Sequence, residues 1–279
     1  MVYESFIKLS MATGERRKLN QLQQLPGHVL VDAAWLERHG YSSSLRSQYV
    51  KSGWLVQVAP RVYQRGEEPL TWQQVVLSLQ TFMDYPLTVG GRTALDELGF
   101  SHYLGGRPEV HLYGPQRPPG WLGKLELDTK FLWHNSARLF PDEAEDPFEP
   151  PPSEDMMPGN FMLGPKGVTW SLRLSSPERA LLELLDELPD RESFHQIDAL
   201  VEGLVNLSPT RLQFLLDQCR SVKVKRLFFF FADRHRHAWR TRLDPADFDL
   251  GAGKRVLVEG GRLSKEYNIT VPEDLLGPA

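Results

Sequence analysis

The sequence has a single cysteine, Cys219, which excludes an intrachain disulfide framework and any zinc site built on paired cysteines. Long apolar runs are equally scarce. The most hydrophobic stretch, Leu227 to Ala232, falls far short of the roughly 20 residues that span a bilayer, and the N-terminus carries no apolar run with a cleavage site. A cytoplasmic, reducing setting with no membrane partner is expected. No GxSxG, phosphate-binding loop or cysteine–histidine pairing is present, so no catalytic residue, cofactor or metal is assigned. Basic residues are not in excess: the net charge is −4 and the pI is near 6.1. That balance argues against a chain that coats nucleic acid indiscriminately. What is present is enough apolar material, 41% of 279 residues, for two domains with real cores.

The most informative stretch runs from Val31 to Arg65. Asp32 suits the N-cap of a helix that Gly40 ends in a left-handed conformation, and Ser42 suits the N-cap of a second helix ended by Gly53. Helical spacing places Leu45, Tyr49 and Ser52 on one side of that second helix and Ser43, Ser44, Ser47 and Lys51 on the other, with Arg46 flanking the polar side and Val50 fitting least well. Leu55 to Val58 alternates as a strand, Ala59-Pro60 turns, and Arg61 to Arg65 returns, which leaves Arg61 near the tip of a hairpin. This is the order of a winged helix-turn-helix. An apolar stripe would fix the second helix on its domain while hydroxyls and a lysine reach base edges, and a basic wing tip would meet phosphate or the minor groove. From Met1 to Arg65 there are nine basic residues and four acidic ones, net +5. A docking module with an ordinary solvated surface is the competing reading.

Upstream, a helix capped by Thr13 and stopped at Pro26-Gly27 turns Leu19, Leu22 and Leu25 inward and Arg16, Arg17 and Lys18 outward, beside the DNA backbone. Downstream, Thr71 caps a bridging helix to about Met83, with Trp72, Val75, Val76 and Leu79 on its apolar face and Gln73, Gln74 and Gln80 on its polar face. The expected fold is α+β: residues 1–85 form the winged helix-turn-helix with its bridging helix, and residues 86–279 form a larger mixed α/β domain. In the latter, Gly90-Gly91-Arg92-Thr93 at a helix start could hold an anion, although a tight strand-to-helix turn explains it as well. Strands are expected at Glu109 to Tyr113 and within Leu125 to Trp133. An exposed acidic loop runs from about 141 to 158, with seven acidic residues and no basic ones. Helices follow Ser176-Pro177, Ser193 and Ser208-Pro209, and the tail from Gly253 to Leu263 reads as a hairpin turned at the glycine pair.

Two clusters invite chemistry. His235 and His237 near Asp233 could hold a metal, but the neighbouring arginines oppose a cation. Arg220 to Arg255 holds ten basic residues against four acidic ones, net +6. That region, with Lys223, Lys225, Arg226, Lys254 and Arg255, is a second DNA surface, a face for an acidic macromolecule, or solubilising charge over a phenylalanine-rich core. Composition does not choose among them.

Many blocks in order resemble a known family. Leu25-Pro26-Gly27, Gly40-Tyr41-Ser42, Tyr49 to Leu55, Pro69-Leu70-Thr71-Trp72, Gly90 to Leu95, Ser176 to Ala180, Lys223 to Phe228, Leu250 to Arg255 and Tyr267 to Pro272 look like the AbiEi antitoxins of type IV toxin–antitoxin systems. The resemblance implies a bifunctional protein. Its winged helix would bind inverted repeats in double-stranded operator DNA and repress its own operon, with the helix after Ser42 and the wing at Arg61 as reading elements. Its C-terminal domain would neutralise an AbiEii-like nucleotidyltransferase toxin, through functional antagonism often without a stable complex, in abortive infection as a phage defence. The antitoxin activity would map to the region of Lys223, Lys225, Arg226, Lys254 and Arg255. Rival functions are a repressor whose large domain senses a ligand, and a metal-dependent nuclease using Asp249 or Glu259.

Overall fold

The computed structural model describes residues 18–23, 25, 28–100, 109–141, 161–163 and 169–277. The chain forms two compact units, the first made of Met1–Leu87, Pro118–Lys130 and Pro151–Arg173, the second of Thr88–Arg117, Phe131–Pro150 and Leu174–Ala279. No helix among the described residues is long and apolar enough to cross a membrane.

In the first unit, helical residues 18–22 (α1) precede β1 (Leu30–Asp32), α2 (Ala33–Arg38), α3 (Ser43–Lys51), β2 (Val56–Ala59) and β3 (Val62–Gln64). The three strands pair antiparallel in the order β1-β3-β2, which completes a winged helix-turn-helix. Leu22, Val31, Leu36, Tyr41, Tyr49, Leu55 and Phe82 form its core, with Leu19, Leu25 and Val50 packed against them. Helix α4 (Trp72–Thr81) starts in a capping box between Thr71 and Gln74, which satisfies two otherwise orphaned N–H groups. Its polar face differs from expectation at one residue. Gln80 is buried, donating from Nε2 to the Leu87 and Arg173 carbonyls at 2.9 and 3.1 Å and accepting from Arg173 N–H at 2.9 Å. An amide that meets three backbone groups is satisfied inside, where helical spacing alone reads it as solvated. Ser78 is buried beside it and accepts from the free N–H of Leu30 at 2.9 Å, so α4 also anchors β1.

The second unit contains a sheet in the order β4-β5-β6 (Thr88–Val89, Glu109–Gly114, Lys130–Asn135) and α5 (Gly91–Glu97). The antiparallel pair of β7 (Phe161–Leu163) and β8 (Thr169–Ser171) belongs to the first unit. Helices α6 (Pro177–Asp186), α7 (Phe194–Gly203), α8 (Pro209–Gln218) and α9 (Val222–His235) surround a core of Leu181, Leu185, Ile197, Leu216, Leu227 and the four phenylalanines Phe228 to Phe231. Ser176 and Ser208 cap α6 and α8, each followed by proline in the first turn. Of the expected strand pattern in Leu125 to Trp133, only the part from Lys130 is strand, and Leu122–Lys124 forms a 3₁₀ turn. The expected acidic loop lies outside the described residues from 142 to 158. The tail hairpin is also placed differently: β9 (Arg262–Ser264) pairs with β10 (Ile269–Val271), and the Gly260-Gly261 pair precedes it. The pair does form a turn, Gly261 N–H donating to the Val258 carbonyl at 3.2 Å with Gly260 at φ +72°, but that turn leads into β9 instead of joining β9 to β10. A Cβ on Gly261 would stand 2.6 Å from the Val271 carbonyl oxygen, so that glycine also serves close backbone approach.

Candidate nucleic-acid interface

The helix-turn-helix is assembled by local capping. Asp32 accepts from Trp35 N–H at 2.7 Å, opening α2, and Ser42 accepts from Leu45 N–H at 3.3 Å, opening α3. Between them Gly40 holds φ +80°, a left-handed conformation natural to glycine. A Cβ there would also meet the Lys18 ammonium at 2.7 Å. Lys18, expected to face outward, instead donates to the His39 carbonyl and lies over the Tyr41 ring, while the Tyr41 hydroxyl donates back to the Lys18 carbonyl at 3.0 Å. Burial, and then Tyr49, push the Tyr41 phenol up to about 12, so it stays a neutral donor in the turn.

On α3, Ser43, Ser44, Ser47 and Lys51 are all exposed, and Gln48 joins them. Gln48 was legible in the sequence, four residues after Ser44 and three before Lys51. Arg61 is exposed at the wing tip with φ +64°, and its carbonyl accepts from Ala33 N–H at 2.8 Å, tying the tip to the start of α2. Arg16 and Arg17 lie outside the described residues.

Arg46 does not flank the polar face. It is 6% exposed, donating to the Tyr41 carbonyl at 2.9 Å, the Ala33 carbonyl at 3.5 Å and the Glu37 carboxylate at 2.8 Å. The reason is spacing: Tyr49 and Val50 follow at three and four positions, so Arg46 belongs to the inward stripe. Val50 packs against the core for the same reason.

Two family models cover nearly the whole chain. One, described as "Transcriptional regulator, AbiEi antitoxin, Type IV TA system", matches residues 107–272, and the other, described as "Transcriptional regulator, AbiEi antitoxin N-terminal domain", matches residues 15–105. The chain belongs to the AbiEi antitoxin family. It is thus a transcriptional regulator and antitoxin of a type IV toxin–antitoxin system. No curated protein gives a significant sequence match. Among solved structures, the chain is similar to the RV2827C protein from Mycobacterium tuberculosis, with a TM-score of 0.51 and 16% identity over 86% of this chain and 85% of that one. At that identity the likeness shows a shared fold.

The second basic region of this AbiEi chain is divided between surface and interior: Arg220, Arg236, Arg242, Lys254 and Arg255 are exposed, whereas the cations of α9 turn inward. Helix α9 is buried nearly all round, and Lys225 and Arg226 go in with it, at 7% and 1% exposure. The Arg226 guanidinium donates to the carbonyls of Leu250, Gly251, Gly253 and Asn268 at 2.6 to 3.3 Å. It thereby holds the Leu250 to Arg255 block onto the Lys223 to Phe228 block. Lys223 donates to the Asp186 and Leu188 carbonyls at the end of α6, where a cation complements the helix dipole. Lys254 and Arg255 alone of the five are exposed. Four successive phenylalanines were the available signal, since a helix apolar on all sides is buried.

The remaining candidates also resolve into internal contacts. The helix start at Gly90-Gly91 holds an anion of the chain's own: Glu183 accepts from Gly91 N–H at 2.9 Å, from Ser175 Oγ at 3.1 Å and from Arg179 Nε at 3.0 Å. His235 pairs with Asp198 and His237 with the Val201 carbonyl, while Asp249 accepts from Gly251 N–H. A cluster absent from the sequence reading joins β5, β6 and the end of α6. His111 Nδ1 lies 3.0 Å from His134 Nε2, His134 Nδ1 lies 2.9 Å from Glu187, and Tyr113 stacks on His134. Burial first, and then His134, lower the His111 pKa to about 4. Burial works to raise Glu187, but the hydrogen bond and charge of His134 prevail and lower it.

Proposed function

We propose that this AbiEi protein represses its own operon by reading inverted repeats in promoter DNA with α3 and the wing, and that it opposes a nucleotidyltransferase toxin. The observation that carries the DNA half is the division of α3. Ser43, Ser44, Ser47, Gln48 and Lys51 are exposed together, while Leu45, Arg46, Tyr49 and Val50 hold the helix on its unit. Short hydroxyls and an amide suit base edges in the major groove, and Lys51 and Arg61 suit phosphate. A net positive first segment in an acidic chain supports local rather than indiscriminate binding.

The test is binding to DNA from immediately upstream of the gene against scrambled DNA across a salt series. Upstream DNA is expected to bind tighter, on the order of 10³-fold or more for a specific regulator. Ser47→Ala should cost about 1 kcal/mol on upstream DNA alone, whereas Lys51→Ala and Arg61→Ala should weaken both DNAs and each reduce the salt slope by about 1. Equal binding of the two DNAs, indifferent to all three substitutions, would sink the regulatory reading.

A further inference from the structure

Arg46 is positioned to do more than fill space, and this inference rests on the DNA reading above. Its guanidinium bridges three parts of the module: Nη2 pairs with Glu37 on α2, Nη1 donates to the Tyr41 carbonyl in the turn, and Arg46 itself sits on α3. Nη1 also lies 3.5 Å from the Ala33 carbonyl, and the N–H of that same Ala33 holds the wing-tip carbonyl of Arg61. One side chain therefore links the reading helix to α2 and, through Ala33, to the wing. We propose that Arg46 is a positioning residue for sequence reading, which fixes the angle at which the exposed face of α3 is offered while the wing meets the backbone.

The physical argument is a matter of cost. A buried guanidinium is expensive unless paired, and here Nε has no hydrogen-bond partner. An apolar residue of similar volume would fill the inward stripe beside Tyr49 without that penalty. What only the planar fork provides is a fixed geometry toward two partners on different elements. Base readout is sensitive to such geometry, whereas phosphate attraction is long-range and tolerant of it.

The experiment compares the full chain with Arg46→Lys and, as a milder route to the same clamp, Glu37→Gln, whose side chain is half exposed. Thermal melts identify which variants are folded, and each is titrated with upstream and scrambled DNA across salt. The ratio of upstream to scrambled affinity is expected to fall about tenfold in Arg46→Lys, the size of one lost base-pair discrimination, and less in Glu37→Gln. Scrambled affinity and the salt slope should stay at the parent's values. An unchanged ratio in both folded variants overturns the proposal. So does an equal loss on both DNAs, which would make Arg46 a contributor to stability or charge alone. If the parent itself fails to distinguish the two DNAs, the DNA reading falls and this inference falls with it.

Discussion

Single side chains decide where charge goes in this protein, and three basic or titratable residues show how. Arg46 and Arg226 read as surface cations in the sequence, yet both are interior because backbone carbonyls, and for Arg46 a carboxylate, accept from their guanidinium groups, Arg46 Nε excepted. Sequence shows that a residue is charged but not whether acceptors from distant positions converge on it. His111 illustrates the pH consequence. It faces His134, Glu187, Glu109 and Arg92, and its pKa lies near 4 in the fold against about 6.5 unfolded. The unfolded chain therefore binds the extra proton first. Stability attributable to this group is fully present above pH 6.5, declines as pH falls toward 4, and changes no further below that. The expected loss across that window is on the order of 3 kcal/mol. Urea titrations at pH 7, 5.5 and 4.5 would read it, and the slope should flatten in His111→Asn; a parent midpoint that does not move between pH 7 and 4.5 contradicts the assignment.

Among elements, the helices were the most legible, because their starts are encoded within four residues. Ser42, Thr71, Ser176 and Ser208 each accept from the N–H three positions on, as the sequence pattern predicts. Strands and turns were less legible, since pairing is non-local. The glycine pair at Gly260-Gly261 reads as a hairpin turn; it does close a turn from Val258 to Gly261, but the paired strands both follow it, and Val271 comes so close that Gly261 is also needed for clearance. The start of α5 was read as either an anion site or a plain turn. Glu183, 92 residues away, supplies the anion. Glu183→Ala would leave Gly91 N–H, Ser175 and Arg179 without that carboxylate in a buried place, at an expected cost of about 3 kcal/mol. Urea denaturation checks this; a loss under 1 kcal/mol would mean that solvent replaces the carboxylate.

At the level of the whole molecule, the first unit draws on three separate segments of the chain, including Pro118–Lys130 and Pro151–Arg173. A fragment beginning after Leu87 would carry those segments without the rest of their unit. The antitoxin half should therefore be tested on the full chain, co-expressed with the neighbouring toxin gene. Growth is expected to be restored, and to remain restored with Lys51→Ala when both genes are driven from foreign promoters, because repression is then irrelevant. Continued growth arrest with the full chain would refute the toxin-opposing half. The sequence by itself determined the winged helix-turn-helix, the capped helices and the family, since each is written in short-range periodicity, caps and ordered blocks. Only the tertiary structure decided which cations are exposed, how Arg226 joins two distant blocks, and that His111, His134 and Glu187 meet. Burial and hydrogen-bond partnership arise when residues tens of positions apart are brought within 3 Å or so, and no local pattern records that.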